Sequence, residues 1–506
     1  MRTISLLLLA SCSNDYSSDT GDRDDSDRGY MTDDEDWGGD ADADTDADAD
    51  TTATDPPEEE DTGDTDEPTC EDASPDAVTL YLSADDSNSQ AAAAIARAAI
   101  EDGLAIRSPQ RVYEYLNYYD FTYEPADAGS LRVDAQMRQV EGADGEWELL
   151  IAVVAPEVAP EARRPLNLTF SVDTSGSMTG APLDRVKDTM EAIASQLQEG
   201  DVVSVLTWNV DTTLLLDSWV VDGPDDATLL AAIAGMEPGG STDLASGLEE
   251  AYDVALANYS TGRTNRVILL SDGGANVGVT DEDRIARYAE DGEGEGIYLI
   301  GVGAGDPGSY DDTLMDTVTD HGKGAYLFVD TPSEAIRSFT GERLVSNLEV
   351  AARDVQLAMT LPPEFVVQEF HGEQISTDPR EVAPQHLAPN DAMLYHVVLL
   401  DCGDARDGTE TFSFSVDWQD PRTGELSTTT SETTLAEMAD AANTQILKAQ
   451  AIVAYAEGLS EVWDQPDEAA YLQGVYDTVE AAYRARPDDD DLAEILDLVD
   501  AYRQRF

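Results

Sequence analysis

A chain of 506 residues with a formal net charge of −78, from 106 Asp and Glu against 28 Lys and Arg, repels nucleic acid and anionic lipid and attracts divalent cations. Nucleic-acid binding is therefore excluded, and a halophilic or marine solvent is one explanation of the acidity. The length allows two or three domains with a core of ordinary size.

Residues 1–12 read as an export signal. Arg2 precedes the apolar run Ile4 to Ala10, and Leu9-Ala10-Ser11-Cys12 resembles the bacterial lipobox, in which the Cys is lipidated and becomes N-terminal. The apolar run is too short to span a bilayer. It is also short for a signal peptide, which points to a start codon upstream. Ser13, in place of Asp, resembles an outer-membrane sorting signal. The expectation is an exported chain, anchored through a lipid on Cys12 to the outer membrane and touching the membrane by that anchor alone.

Residues 13–76 hold 27 Asp and Glu against two Arg, with the repeat Ala41-Asp42-Ala43-Asp44-Thr45-Asp46-Ala47-Asp48-Ala49-Asp50 at the centre. Such a segment has nothing to bury and predicts a disordered acidic tether, reaching ~45 Å as a random coil. Calcium capture is the rival role. The repeat lacks the Gly and bidentate Glu of a calcium loop, so only diffuse cation binding is expected.

Residues 77–165 predict an N-terminal flanking α+β region. Ser89 to Ile100 is an Ala-rich helix, and Ser108-Pro109-Gln110 reads as the cap and first turn of a second helix, Arg111 to Tyr119. Two strands follow, one alternating at Leu131, Val133, Ala135 and Met137, the other from Trp147 to Ala155.

Across residues 166–347 strands and helices alternate. Strands are expected at 166–172, 202–208, 213–220, 266–271, 297–302 and 325–329. Helices are expected at 182–198, 226–236, 243–257, 281–290, 310–320 and 332–347. The strands at 266–271 and 297–302 are nearly all apolar, as in a sheet buried on both faces. The fold class is α/β, a doubly wound and mostly parallel sheet whose ligand belongs at the carboxyl ends of its strands.

Residues 348–435 return to β patterning, and 436–506 form a helical region at 436–457, 467–485 and 489–504. The strands on either side of the α/β domain are expected to make one β-sandwich, with that domain inserted or flanked; a separate C-terminal sandwich is the alternative. A Cys70–Cys402 disulfide is one outcome of an oxidising compartment, tying the end of the tether to the C-terminal region.

Asp173-Thr174-Ser175-Gly176-Ser177 ends the first of the buried strands. One carboxylate and two hydroxyls, spaced two apart, outline a cation site, because magnesium takes about six oxygens near ~2.1 Å. Thr242, in Gly239-Gly240-Ser241-Thr242-Asp243, and Asp272, in Leu269-Leu270-Ser271-Asp272-Gly273, supply a hydroxyl and a carboxylate from neighbouring strand ends. Each fragment alone reads as capping or turn chemistry; their order and placement argue for a site.

Asp173, Ser175, Ser177, Thr242 and Asp272 together resemble the metal-ion-dependent adhesion site of von Willebrand factor type A (VWA) domains. The surrounding Val172 to Met178, Gly240 to Leu244 and Leu270 to Gly273, leading to Asn276-Val277-Gly278, are similar as well. Arg111 to Tyr119 and the segment after 348 resemble the flanks of bacterial lipoprotein-type members. The resemblance implies Mg2+, or alternatively Mn2+ or Ca2+, held by both Ser and the Thr, with the carboxylates acting directly or through water. It implies a protein ligand whose acidic side chain completes the coordination.

Asp243 and Asn276 stand near enough in sequence to orient waters. His321, His371, His386 and His396 are scattered without ligand spacing and read as structural. A phosphoryl-accepting role for Asp173 is disfavoured, because such enzymes carry a second carboxylate two residues on, where this chain has Ser175. The expectation is a non-catalytic binding protein. A structural envelope protein rigidified by its metal is the alternative.

Overall fold

In the computed structural model, the described residues are 68–506 except 141, 144, 274–295, 311, 404–405 and 441–443. The lipobox at Cys12, most of the acidic tether, Asn276 and the helix expected at 281–290 lie outside them. Residues Pro68–Phe506 form one compact unit.

The α/β part is a six-stranded sheet built from β4 (Leu166–Asp173), β5 (Val202–Trp208), β6 (Thr212–Val220), β7 (Thr264–Ser271), β8 (Tyr298–Gly303) and β9 (Tyr326–Phe328), in the order β6-β5-β4-β7-β8-β9. Every pairing is parallel except β5 with β6. Each residue of β4, β7 and β8 is buried, which explains why these strands read as apolar runs without alternation. Leu168, Phe170, Val172, Ile268, Leu270 and Ile300 pack with helices 181–194, 227–234 and 332–339 on one face. Val267, Leu269 and Leu299 pack with helices 244–257 and 312–321 on the other.

Two further sheets make a sandwich. One runs β12 (Gln374–Ser376), β1 (Val78–Ser83), β10 (Ala352–Leu361), β15 (Thr411–Gln419), β16 (Leu426–Thr434), with β13 (Gln385–Leu387) also on β10. The other runs β11 (Phe365–Phe370), β14 (Ala392–Asp401), β3 (Glu146–Val154), β2 (Arg132–Gln139). Because β1 pairs with β10 and β3 with β14, strands from before and after the α/β unit share both sheets, and that unit is an insertion. Leu149, Ile151 and Val153 of β3 face the sandwich core. Leu150, Ala152 and Val154 face a helical layer made by 91–101, 112–118, 445–461, 468–485 and 490–503. Burial on both faces makes β3 read as an unbroken apolar run.

The insertion is held at its neck. The Arg163–Asp201 ion pair, at 2.6 Å, leaves both side chains 1 % exposed, and Asp201 accepts from the Leu166 amide at 2.7 Å. On the exit side Glu349 accepts from the Arg164 amide at 2.8 Å and from Thr264 Oγ1 at 3.3 Å. The Ala-rich helix 91–101 packs against β9 with eight of its residues buried. Short side chains let it approach closely, and Arg97 fastens it to Asp330 and Glu334 at 2.8 and 2.9 Å.

Three local expectations need correction. The helix expected at 111–119 runs Val112–Tyr118 without a side-chain cap; Arg111 pairs with Glu114 instead, and Pro109 lies upstream of the helix. The helix expected at 332–347 breaks at extended Thr340 and left-handed Gly341 into 332–339 and 341–348. The helix expected at 436–457 divides into Leu435–Met438, closed by a Thr434–Glu437 capping box, and Gln445–Glu461. Strands β1, β12 and β13 carried too little pattern to be foreseen.

Cys70 and Cys402 are joined as a disulfide across 332 residues of sequence. Cross-linking so long a loop removes much denatured-state entropy, worth about 2–4 kcal/mol in typical cases. Cys402→Ser is expected to lower the thermal midpoint by roughly 2–4 °C, read by calorimetry under non-reducing conditions. A dithiothreitol-treated sample of the parent should match it.

Gly247, in helix 244–257, gives a second test. A Cβ there would lie 2.5 Å from the ring of Trp208, a buried indole that donates to Ser171 Oγ at 3.0 Å. Gly247→Ala should cost about 1–3 kcal/mol by overpacking, measured as a lower urea midpoint.

Candidate metal centre

The crest of the six-stranded sheet gathers four of the expected residues from two adjacent strands. β4 ends at Asp173, whose side chain is fully buried, and the chain then turns through Ser175 to Ser177. Asp173 Oδ1 accepts from the Ser175 amide at 2.8 Å, and Oδ2 accepts from Ser271 Oγ at 2.9 Å. Ser271 closes β7, so this bond ties the two strand ends together and places Asp272 next to Asp173. Gly273, at φ +77°, turns the chain away, and its amide donates to Ser271 Oγ at 3.2 Å.

The loop carrying Thr242 is fastened to the same turn by the backbone. Gly239 donates its amide to Thr174 O at 2.8 Å, and Gly176 donates to Gly240 O at 3.1 Å. Thr174 in turn donates from its amide and its hydroxyl to Trp208 O at 2.9 and 3.1 Å. Gly240 has φ +87°, and a Cβ there would meet Val210 at 3.1 Å and Asn209 at 3.2 Å, so glycine is required by both conformation and space. Thr242 is 2 % exposed. Asp243 serves as the N-cap of helix 244–257, accepting from the Ser246 amide at 3.1 Å and its hydroxyl at 2.9 Å. Those bonds anchor its carboxylate at the helix end.

The donor set fits a small hard dication. Ser175 Oγ and Ser177 Oγ stand 2.9 Å apart, close to the ~3.0 Å edge of an octahedron with ~2.1 Å bonds. Burial pushes the Asp173 carboxyl up to about 6, against the lowering effect of its bonds from Ser175 and Ser271; neighbouring Asp272 pushes it up further. A buried carboxyl beside a second acid ionises at a cost, and a cation there relieves it. Asp173, Ser175, Ser177, Thr242 and Asp272 are therefore the residues able to hold a metal.

Sequence reasoning missed the supporting groups. Ser271, which orients Asp173, lay inside a quoted motif but was read as strand. Ser171, Trp208 and Gly247 form the floor under the crest, and Ser171 Oγ donates to Gly247 O at 3.3 Å. No local pattern marks that contact, since the three residues lie on two strands and a helix.

Residues 167–342 match the family model of the von Willebrand factor type A domain. The chain is similar to YfbK of Escherichia coli K12, 28 % identical over 285 residues, covering 54 % of this chain and 48 % of that protein. It is similar to sll0103 of Synechocystis, 27 % identical over 210 residues, 42 % of this chain and 48 % of that protein. This chain thus spans about half the length of both relatives. A solved von Willebrand factor type A structure from Catenulispora acidiphila aligns at TM-score 0.44 and 12 % identity, covering 70 % of this chain and 87 % of that one. The inserted α/β unit is a von Willebrand factor type A domain, and the chain is a VWA domain protein.

Proposed function

We propose that this protein is a non-catalytic cell-envelope lipoprotein that captures a protein ligand at the crest of its VWA domain. The carrying observation is the pair of hydroxyls of Ser175 and Ser177, 2.9 Å apart beside a buried, doubly bonded Asp173. A divalent ion bound by Asp173, Ser175, Ser177, Thr242 and Asp272, Mg2+ in our reading, supplies an electrophilic position for an Asp or Glu carboxylate of the partner.

The chain's own groups prepare that contact. Ser271 and the Ser175 amide fix both oxygens of Asp173, so the carboxylate is oriented before any ligand arrives. Neutral hydroxyls from Ser175, Ser177 and Thr242 add oxygens without adding charge, which preserves the attraction for a partner's anion. Val210, 60 % exposed and packed against Gly240, offers an apolar contact beside the site. An enzymatic reading lacks the second acid it needs, because Ser175 occupies that place.

Anchorage is inferred from the sequence. Leu9-Ala10-Ser11-Cys12 supports lipidation at Cys12, and the acidic segment 13–76 supports a tether holding the domain away from an outer membrane.

Magnesium-dependent pull-down from envelope extract by residues 68–506 tests the capture. Retention in Mg2+ and release in EDTA are expected, and equal retention in both would leave the metal a structural role. Asp173→Ala should abolish capture and weaken Mg2+ binding by at least about tenfold, or ~1.4 kcal/mol, measured by calorimetry. Thr242→Ala should weaken capture more than metal retention. For the anchor, Cys12→Ala in the full chain is expected to move the protein from the membrane fraction to the soluble periplasmic fraction.

A further inference from the structure

A second group of ligand atoms lies far from the crest in the chain, where the C-terminal helices cover the sandwich. Glu369, His371 and Glu457 bring a ring nitrogen and two carboxylate oxygens within 4.8 Å of one another. Strand register explains how. Glu369 of β11 lies opposite Val398 of β14, which lies opposite Glu148 of β3. These residues share the sheet face away from the sandwich core, as do His396 and Leu150 in the next row. A bulge between Val367 and Glu369 shifts the register by one residue. Without it Glu369 would take the parity of the core-facing residues; with it Glu369 and His371 turn to the helical side.

Helix 445–461 crosses this face and completes the group. Glu457 Oε1 lies 2.7 Å from His371 Nε2, Glu369 Oε1 lies 3.5 Å from the same nitrogen, and Gln450 donates to Glu148 Oε1 at 3.1 Å. His371 is 7 % exposed, and its Nδ1 stands 3.0 Å from Nδ1 of His396, which is 1 % exposed. Only one of two facing nitrogens can carry the proton. His396 Nε2 has no hydrogen-bond partner. With the proton on His371 Nδ1, its Nε2 lone pair is free to bind, and His396 supplies the outer acceptor that orients metal-bound imidazoles.

Charge gives an independent argument. Glu369, Glu457, Glu148 and Glu461 surround this one imidazole. Among the described residues no Lys or Arg forms an ion pair with Glu148, Glu369 or Glu457; Arg138, across the ladder from Glu148, acts on it only through space. Glu148 Oε2 is shut off from solvent and has no partner. One imidazolium pairs with a single carboxylate, and burial with mutual repulsion pushes Glu148 and Glu369 up to about 7, a cost of ionisation that a bound cation would relieve.

We propose that Glu369, His371 and Glu457 form a second metal site, for Zn2+, that clamps the C-terminal helices to the β-sandwich. Two ~2.0–2.1 Å bonds at a tetrahedral angle put their ligand atoms ~3.3 Å apart. Glu369 already stands near that separation from His371 Nε2, and Glu457 reaches it by withdrawing roughly half an ångström. An imidazole with two carboxylates favours zinc over the hard cations that suit an all-oxygen crest. Glu148 supplies a further oxygen at the edge of the site. The clamp joins β11 and the turn after it to a helix 86 residues onward in the chain, independently of the crest.

Zinc alone is the probe. Full-length protein carrying Asp173→Ala, to remove the crest site, is titrated with Zn2+ against a chromophoric chelator that outcompetes diffuse binding by surface acids. One tight equivalent is expected, with a rise in thermal midpoint on zinc addition. His371→Gln, and separately the Glu369→Gln/Glu457→Gln pair, should weaken that equivalent by more than about tenfold and abolish the rise. The double Gln variant decides the matter if His371→Gln does not fold. In the unmutated chain the same substitutions should remove one equivalent and leave magnesium-dependent capture in place. Absence of a tight equivalent from the Asp173→Ala protein, or its persistence in both Gln variants, overturns the proposal. So does a midpoint that responds to pH but not to zinc, which would make the group a buried imidazolium–carboxylate pair.

Discussion

Everything in this molecule depends on two strand pairings that span the inserted domain. β1 must find β10, and β3 must find β14 along nine residues, from Ala392 opposite Val154 to Leu400 opposite Glu146. Closing loops of this length is entropically costly, so the cost is met only if the insertion brings its own ends together. The neck achieves this with Asp201 and Glu349, which hold the entry at Leu166 and Arg164 against β5, β7 and the exit. The insertion thereby acts as a rigid bridge, and the disulfide between Cys70 and Cys402 closes the sandwich at its far end.

The crest inherits its order from the same sheet. Parallel strands all deliver their carboxyl ends to one edge, which is why Asp173 and Asp272 meet although 98 residues separate Asp173 from its partner Ser271. The bonds Gly239 to Thr174 and Gly176 to Gly240 bring a third loop to that edge. A cation there is favoured by a buried acid held near a second carboxylate and by hydroxyls prearranged at octahedral spacing. The helical side of the sandwich repeats the principle with different donors: β-strand parity and one bulge collect acids around a single imidazole.

Much of the α/β domain was legible because its signals are local. A strand buried on both faces is a short apolar run, an amphipathic helix repeats every three to four residues, and the strand ends carry Asp173, Thr242 and Asp272 in readable motifs. The readings that failed turned on contacts and backbone choices that the residue pattern leaves open. Arg111 starts its helix through Glu114 rather than a Ser-Pro cap, and Gly341 breaks a helix whose composition alone permits continuation. His371 and His396 looked scattered, since 25 residues of sequence conceal that His371, just past the end of β11, lies beside His396 of the adjacent β14.

The sequence by itself determined the fold class, the strand ends that form the crest, and the residue types available to bind a cation there. These follow from periodicity and from short motifs, both properties of neighbouring residues. Only the tertiary structure decided that the flanking strands close into one sandwich, that Ser271 orients Asp173, and that Glu369, His371 and Glu457 converge. Those facts arise from register and packing between distant segments, where a one-residue bulge reverses the face a side chain occupies.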